Sequence, residues 1–363
     1  MVDSPFAEIS INVEDILHCS YSHWYPKFEK YTLSEAVIYK SLPKSFVEYL
    51  ESDDIELPKE NKKDSVIFQD AKPTSDNEYS DWEDDRNEEI ISADKFTKSD
   101  PTKNFKELHE QLKETINRFG SVAPKLNWSA PQDSTWIMTG RNMRCYSTTD
   151  LFLLLKSSDY LNHDIYHAFD EAKDYDKNNP PIFDLNLILR KWVDINPSME
   201  FRCFVRDRQL IAISQRDLNY YSFLDELKDE LTEKIGIFFD DVLMGNFDCN
   251  SFVFDVYLPK PFNEVYLIDI NPYQRSTESL LFTWNELITM DLMEEYVEFR
   301  LVTQHNSGRF ATKAHSQNHV PRDFLDASVD TQSMVDFLKK CKELELNERD
   351  TSDSGSDDDG DIK

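Results

Sequence analysis

Ser251–Tyr273, SFVFDVYLPKPFNEVYLIDINPY, decides how the rest of the chain is read. Two β-branched and aromatic runs flank a proline-containing connection, the pattern of two paired strands. Alternation puts Asp255 on one face with Val253 and Tyr257, and Phe252, Phe254 and Val256 on the other. In the second run Asp269 and Asn271 share a face, opposite Ile268 and Ile270. An antiparallel hairpin closed near Phe262 sets Asp255 opposite Asp269. Three oxygen-bearing side chains then converge on a sheet otherwise built for burial. Carboxylates that close need neutralising, and a hard cation with oxygen ligands does this well. The alternative is two strand-end carboxylates turned to solvent.

Working outward, the helical spacing of Leu224, Leu227, Leu231, Ile235 and Phe238 or Phe239 predicts a long amphipathic helix before the hairpin. Met199–Asp217 reads as strand–turn–strand with its turn at Asp207 and Arg208, carrying Arg202 on the first arm and Gln215 and Arg216 at the end of the second. Leu185–Asp194 is an apolar strand. Val122–Met138 reads as a strand edge bearing Lys125, a loop over Asn127–Ser134, and a strand at Thr135–Met138. A helix follows, capped near Ser147, with Leu151, Leu154 and Leu155 inward. Before it, Phe105, Leu108, Leu112, Ile116 and Phe119 predict a helix stopped by Gly120. Downstream, LLFTWNELI and YVEFRLVTQ are a helix and a final strand.

Near the N-terminus, Ile16, Leu17, Tyr21, Trp24, Tyr25 and Phe28 form an aromatic amphipathic run, and Tyr31–Leu50 a short strand and helix; core packing is the expected role of these rings. From Glu60 to about Thr102 aliphatics are few and negative charge is dense, as in DNEYSDWEDDRNEE (Asp76–Glu89), which predicts a disordered acidic insertion. Thr351–Asp361 predicts a disordered acidic tail. Ser80, Ser354 and Ser356 are candidate phosphosites.

With 363 residues the chain can hold roughly two domains. Hydrophobic residues at 39% indicate a globular core, while 70 acidic against 40 basic residues leave a net charge of −30. That field disfavours nucleic acid and anionic membrane and favours a basic protein partner. The five cysteines (Cys19, Cys145, Cys203, Cys249, Cys341) lack metal-type spacing and are odd in number, which predicts reduced thiols inside a cell. No apolar run approaches about 18 residues and no signal-peptide core opens the chain, so a soluble cytosolic or nuclear protein is expected. Hairpin-linked strands predict a mixed α+β fold rather than a parallel doubly wound sheet. Glycine is scarce, at 7 residues, and no glycine-rich phosphate loop is present.

The order of parts resembles ATP-grasp proteins: a lysine-bearing strand and loop, an apolar strand, a Glu-x-Arg hairpin, a strand ending in arginine, a long helix, and Asp…Asp-x-Asn on a hairpin. Within that superfamily PKLNWSAP (Pro124–Pro131), EFRCFV (Glu200–Val205), SQRD (Ser214–Asp217), FVFDVY (Phe252–Tyr257), LIDINP (Leu267–Pro272) and SLLFTW (Ser279–Trp284) resemble the cell-division-cycle-123 family. HCSYSHWYP (His18–Pro26), SLPKSFVEYL (Ser41–Leu50) and YSDWEDD (Tyr79–Asp85) are similar to it as well. Co-linear blocks cover roughly residues 15 to 320.

The resemblance implies an ATP-grasp-like architecture of two lobes around a nucleotide cleft. The N-terminal segment 1–59 would pack on the first lobe, 103–190, with the second lobe at 191–345. The acidic insertion takes 60–102 and the tail 346–363. It implies a monomeric, magnesium- and ATP-binding chaperone that binds the gamma subunit of translation initiation factor two and promotes assembly of the heterotrimer, supporting translation initiation and the cell cycle. Lys125 would contact phosphate, beside Asn127 and Trp128. Lys191, Trp192 and Val193 would offer backbone and an apolar wall to adenine, and Glu200 would accept from the ribose. Arg202 and Arg216 would neutralise phosphates, and Asp255, Asp269 and Asn271 would hold magnesium. The loop Asn127–Ser134 has no glycine and carries Pro131, unlike the mobile loops of active ligases. Slow or absent turnover is therefore expected, with a ligase modifying a protein or peptide carboxylate as the alternative.

Overall fold

The computed structural model describes residues 9–52, 56–58, 100–292 and 296–304. Residues 60–99 of the acidic insertion, the tail, their candidate phosphosites and Cys341 lie outside the described residues; the end of the expected insertion is ordered instead, with Pro101–Asn104 a 3₁₀ helix and Thr102 buried. Among the described residues two sheets carry the fold. The smaller is antiparallel, built from β1 (Ala36–Tyr39), β3 (Leu187–Lys191) and β2 (Val122–Lys125) in that order. The larger has the order β7 (Tyr266–Pro272), β6 (Phe252–Tyr257), β4 (Glu200–Arg206), β5 (Gln209–Gln215) and β8 (Glu298–Arg300). Its neighbours pair antiparallel except β5 and β8, which run parallel. The mixed α+β class follows.

Hairpin geometry follows the sequence closely. Asp207 and Arg208 both take positive φ, 50° and 62°, as a tight turn between twisted strands requires. Phe262, at φ 66°, closes the second hairpin by donating its amide to Pro259 at 2.8 Å. Asp255 stands opposite Asp269, whereas Val256 stands opposite Leu267, so Ile268 is an extra residue that bulges from β7.

The helices cover these sheets. Here α1 (Val13–His18), α2 (Tyr21–Phe28) and α7 (Leu224–Phe238) bury their apolar sides with Phe252 and Phe254 of the larger sheet. Trp24 and Tyr21 are fully enclosed there, in the packing role expected of them. On the opposite face α8 (Trp284–Thr289) packs with Phe204, Ala212 and Val253. Separately, α3 (Lys44–Glu51), α4 (Lys106–Phe119) and α5 (Thr148–Lys156) form a core with the smaller sheet through Phe46, Leu112, Phe152, Leu187 and Leu189. Gly120 ends α4 at φ 78°, a conformation that strains residues bearing a Cβ. At the start of α5, Ser147 Oγ accepts from the Asp150 amide at 3.1 Å.

One expected element is corrected. Thr135–Met138 is not a strand; Gln132–Ile137 is a 3₁₀ helix. Ser134 is fully buried and its hydroxyl donates to the Leu154 carbonyl at 2.8 Å, holding the turn against α5. Asp133 meanwhile accepts from Ser158 Oγ and from the amides of Asp159 and Tyr160, capping α6 (Asp159–Tyr166), a helix the sequence reading did not contain. These long-range bonds outweigh the β propensity of Thr-Trp-Ile.

Candidate functional site

On β4, β6 and β7 the directly paired residues Arg202, Asp255 and Asp269 form one cross-strand row. Arg202 grips Asp255 with both arms of its fork, Nε to Oδ1 at 2.7 Å and Nη2 to Oδ2 at 2.8 Å. Its remaining arm donates to the Glu278 carbonyl at 2.8 Å. Arg216, just past β5, reaches Asp255 Oδ2 from Nε at 3.4 Å and lies 3.7 Å from Glu200. From the smaller sheet, Lys125 at the end of β2 donates to Asp269 Oδ2 at 2.7 Å and to the Trp128 carbonyl. Thus three cations and three carboxylates meet where strands of the two sheets approach, and Lys125 and Asp255 are only 1% and 2% exposed.

Such burial is costly. The effective penalty is still several kcal/mol per ion after relaxation, and a well-packed apolar replacement is often no less stable. A buried ionic network is therefore a candidate for function rather than a device for stability. Its electrostatics divide the carboxylates. Burial pushes Asp255 up, but Arg202 and then Arg216 outweigh it and hold the carboxyl below its ordinary value. Glu200 goes the other way: burial raises it, Arg216 only partly opposes, and Asp255 adds repulsion. For Arg216, burial disfavours the charge, but Asp255 and Glu200 more than compensate, raising it above the usual guanidinium value.

The other expected site residues divide by role. Asn127 is consumed by the fold: its amide donates to the Asp184 carbonyl at 2.9 Å and accepts from the Asn186 amide at 2.7 Å. Trp128 is 7% exposed, packs on Phe169 and Phe183, and donates from Nε1 to the Ile16 carbonyl at 2.7 Å. Neither side chain is free to line a cleft. Lys191, Trp192 and Val193 leave β3, where Lys191 is exposed and Trp192 half-buried. The amides of Lys191 and Trp192 donate to the carbonyls of Glu35 and Ser121. Asn271 shares the Asp269 face, and its amide nitrogen is buried without a partner. Nitrogen and oxygen of such an amide are interchangeable in placement, so that buried position can equally present a carbonyl oxygen toward a cation. The carboxylates of Asp255 and Asp269 with this amide would form an oxygen donor set that suits magnesium, provided Lys125 yields Asp269 and Arg202 and Arg216 yield Asp255.

Two residues were missed. Asp164, on α6 and 1% exposed, accepts from the amides of Trp128 and Ser129 at 3.0 and 2.7 Å and from Ser129 Oγ at 2.6 Å. It pins the loop after Lys125. Arg190, on β3, carries a buried Nε without a partner, and its charge adds slightly to Arg216 in opposing the upward shift of Glu200. A guanidinium inside the apolar run LNLILRKW was the available signal for Arg190.

The fold and this network define a mixed α+β protein with a buried lysine–carboxylate–arginine cluster joining two sheets. Residues 24–328 match the model of the D123 family, and the chain belongs to that family. A translation initiation factor eIF2 assembly protein of Kluyveromyces lactis is 46% identical over 360 residues, 97% of this chain and 98% of its own. Cell division cycle protein 123 of Candida glabrata is 45% identical over 349 residues, 96% of this chain and 97% of its own. The solved structure of Cdc123 from Schizosaccharomyces pombe matches with a TM-score of 0.64 and 34% identity, covering 82% of this chain and all of that one.

Proposed function

We propose that this protein is a chaperone for assembly of eukaryotic translation initiation factor two, acting as a cytoplasmic monomer through the gamma subunit and supporting translation initiation and the cell cycle. The observation that carries the reading is the near-full-length match, 46% identical over 97% of the chain, to a relative named for that assembly. The protein binds ATP and magnesium between two ATP-grasp-like lobes, 103–190 and 191–345. Lys125, Arg202 and Arg216 turn from carboxylates to phosphates, while Asp255, Asp269 and Asn271 turn to magnesium. Such an exchange of partners leaves no charge in the cleft unmatched. Glu200 accepts from the ribose. Val193 and the carbonyls of Lys191 and Trp192 face adenine, and Asn127 and Trp128 contribute through the loop backbone they fix.

ATP serves as a conformational ligand with slow or absent turnover. The anchoring of Trp128 and Ser129 by Asp164 supports this, because a phosphate lid that cycles needs a loop free to move. Titration calorimetry of the full chain with magnesium and ATP, alone and with the gamma subunit, tests the proposal. Stoichiometric binding that weakens in Asp269→Ala, with little ADP formed, is expected. Rapid ADP release together with a modified partner would instead establish the ligase, and no nucleotide binding at all would end the ATP reading.

A further inference from the structure

A second cluster shares no residue with the ionic network. His18 closes α1, His23 lies in the first turn of α2, and Asp248 comes from the connection leading into β6. Each offers one ligand atom, and these atoms lie within 4.8 Å of one another. His23 Nε2 is 2.9 Å from Asp248 Oδ2, and the two imidazole centroids are 4.7 Å apart. His18 Nδ1 is buried with no hydrogen-bond partner, although buried polar atoms normally have one. Its other nitrogen is 3.8 Å from Glu14.

We propose that His18, His23 and Asp248 form a binding site for a divalent cation of the zinc class. Two imidazoles and a carboxylate are a borderline donor set, matched to zinc, copper or nickel rather than to magnesium or calcium. Ligand atoms around a tetrahedral ion at about 2.0–2.1 Å stand roughly 3.3 Å apart, so the His23–Asp248 pair already has nearly the required spacing. The side chains are 22%, 34% and 39% exposed, which gives an ion a path in and leaves a fourth position to water. Asp248 turns one carboxylate oxygen, Oδ2, toward both His23 and Lys27. Lys27 donates to the same Oδ2 and is itself 41% exposed, so it can withdraw into solvent when a cation arrives. It acts as a built-in competitor that sets the affinity. A bound ion fastens the joint between α1 and α2 to the connection before β6.

The test is competition between the full chain and a chromophoric chelator for zinc, with copper electron paramagnetic resonance on the same proteins. The wild type is expected to bind one ion tightly, with two nitrogens resolved on copper. His23→Ala and Asp248→Asn should each weaken zinc by on the order of 100-fold, at least the loss seen for an outer-sphere partner, and His23→Ala should remove one nitrogen from the copper spectrum. Lys27→Met should bind zinc several-fold more tightly, an outcome that a folding defect cannot mimic. Unchanged affinity in all three variants, or weaker binding in Lys27→Met, would overturn the proposal.

Discussion

Lys125 at the end of β2 and Asp269 on β7 meet at 2.7 Å across 144 positions of sequence, tying the smaller sheet to the larger. The lysine is almost wholly enclosed and the aspartate keeps a 16% exposed side chain. Removing the lysine therefore strands a carboxylate that water can only partly reach. Lys125→Met is expected to destabilise by about 3 kcal/mol, the low end for a broken buried pair, and adding Asp269→Asn should recover part of the loss. Denaturant titration of the single and the double variant beside the wild type measures both. If Lys125 also holds phosphate, Lys125→Met lowers ATP affinity by roughly 10–100-fold, the equivalent of one charged hydrogen bond.

Asp255 answers to pH in the opposite sense from Glu200. Its native value lies below the unfolded one, so its stabilising contribution is present above the ordinary carboxylate range and is lost as pH falls through the depressed native value. Asp255→Asn leaves Arg202 and Arg216 facing a neutral amide and is expected to cost about 3–5 kcal/mol at neutral pH. Stability curves of variant and wild type should converge under strong acid. A pH-independent gap between them would mean that Asp255 contributes by packing alone.

Glu200 is the group whose ionised form the fold disfavours. Because its native value is raised, ionisation costs stability at neutral pH, and that cost disappears as pH falls below the unfolded value. Glu200→Gln should accordingly be no less stable than the wild type at neutral pH. Its relative advantage should shrink on acidification through the raised value. The same substitution should weaken ATP if the carboxylate accepts from the ribose, so thermal melts and calorimetry on one variant separate stability from binding.

The cross-strand row was legible because side chains alternate with a period of two and a proline-containing turn fixes the register. Asp255 meets Asp269 as that rule requires. Nearer the turn the simple register fails, since Ile268 bulges and Tyr257 pairs with Tyr266 rather than Leu267. Helices with a clear apolar face, α4 and α7, could be read directly; α6 could not, because its cap, Asp133, lies 25 positions away from Ser158. The same limit applies at the site. Which residue types gather there follows from sequence order and family resemblance. That Asn127 and Trp128 serve the loop from inside depends on Asp184, Asn186 and Ile16, partners brought in by folding.

Asp164 offers the sharpest test of whether the loop after Lys125 must be stiff. Its carboxylate satisfies two consecutive amides and a hydroxyl in a fully enclosed place, and although burial drives its pKa up, the bonds from Ser129 and Trp128 oppose that rise. Asp164→Ala leaves both amides without their acceptor, at a cost of about 1–3 kcal/mol for each one that stays buried. The loop is expected to open locally rather than bear that cost, so hydrogen exchange at Trp128 and Ser129 should accelerate while the amides of β4 and β6 stay protected. A looser loop also moves Lys125, whose ammonium donates to the Trp128 carbonyl, so if Lys125 holds phosphate, ATP affinity should fall as well. Unaltered exchange at Trp128 and Ser129 would show that packing of the indole on Phe169 and Phe183 holds the loop by itself, and the stiffness would then have to be sought by replacing Trp128.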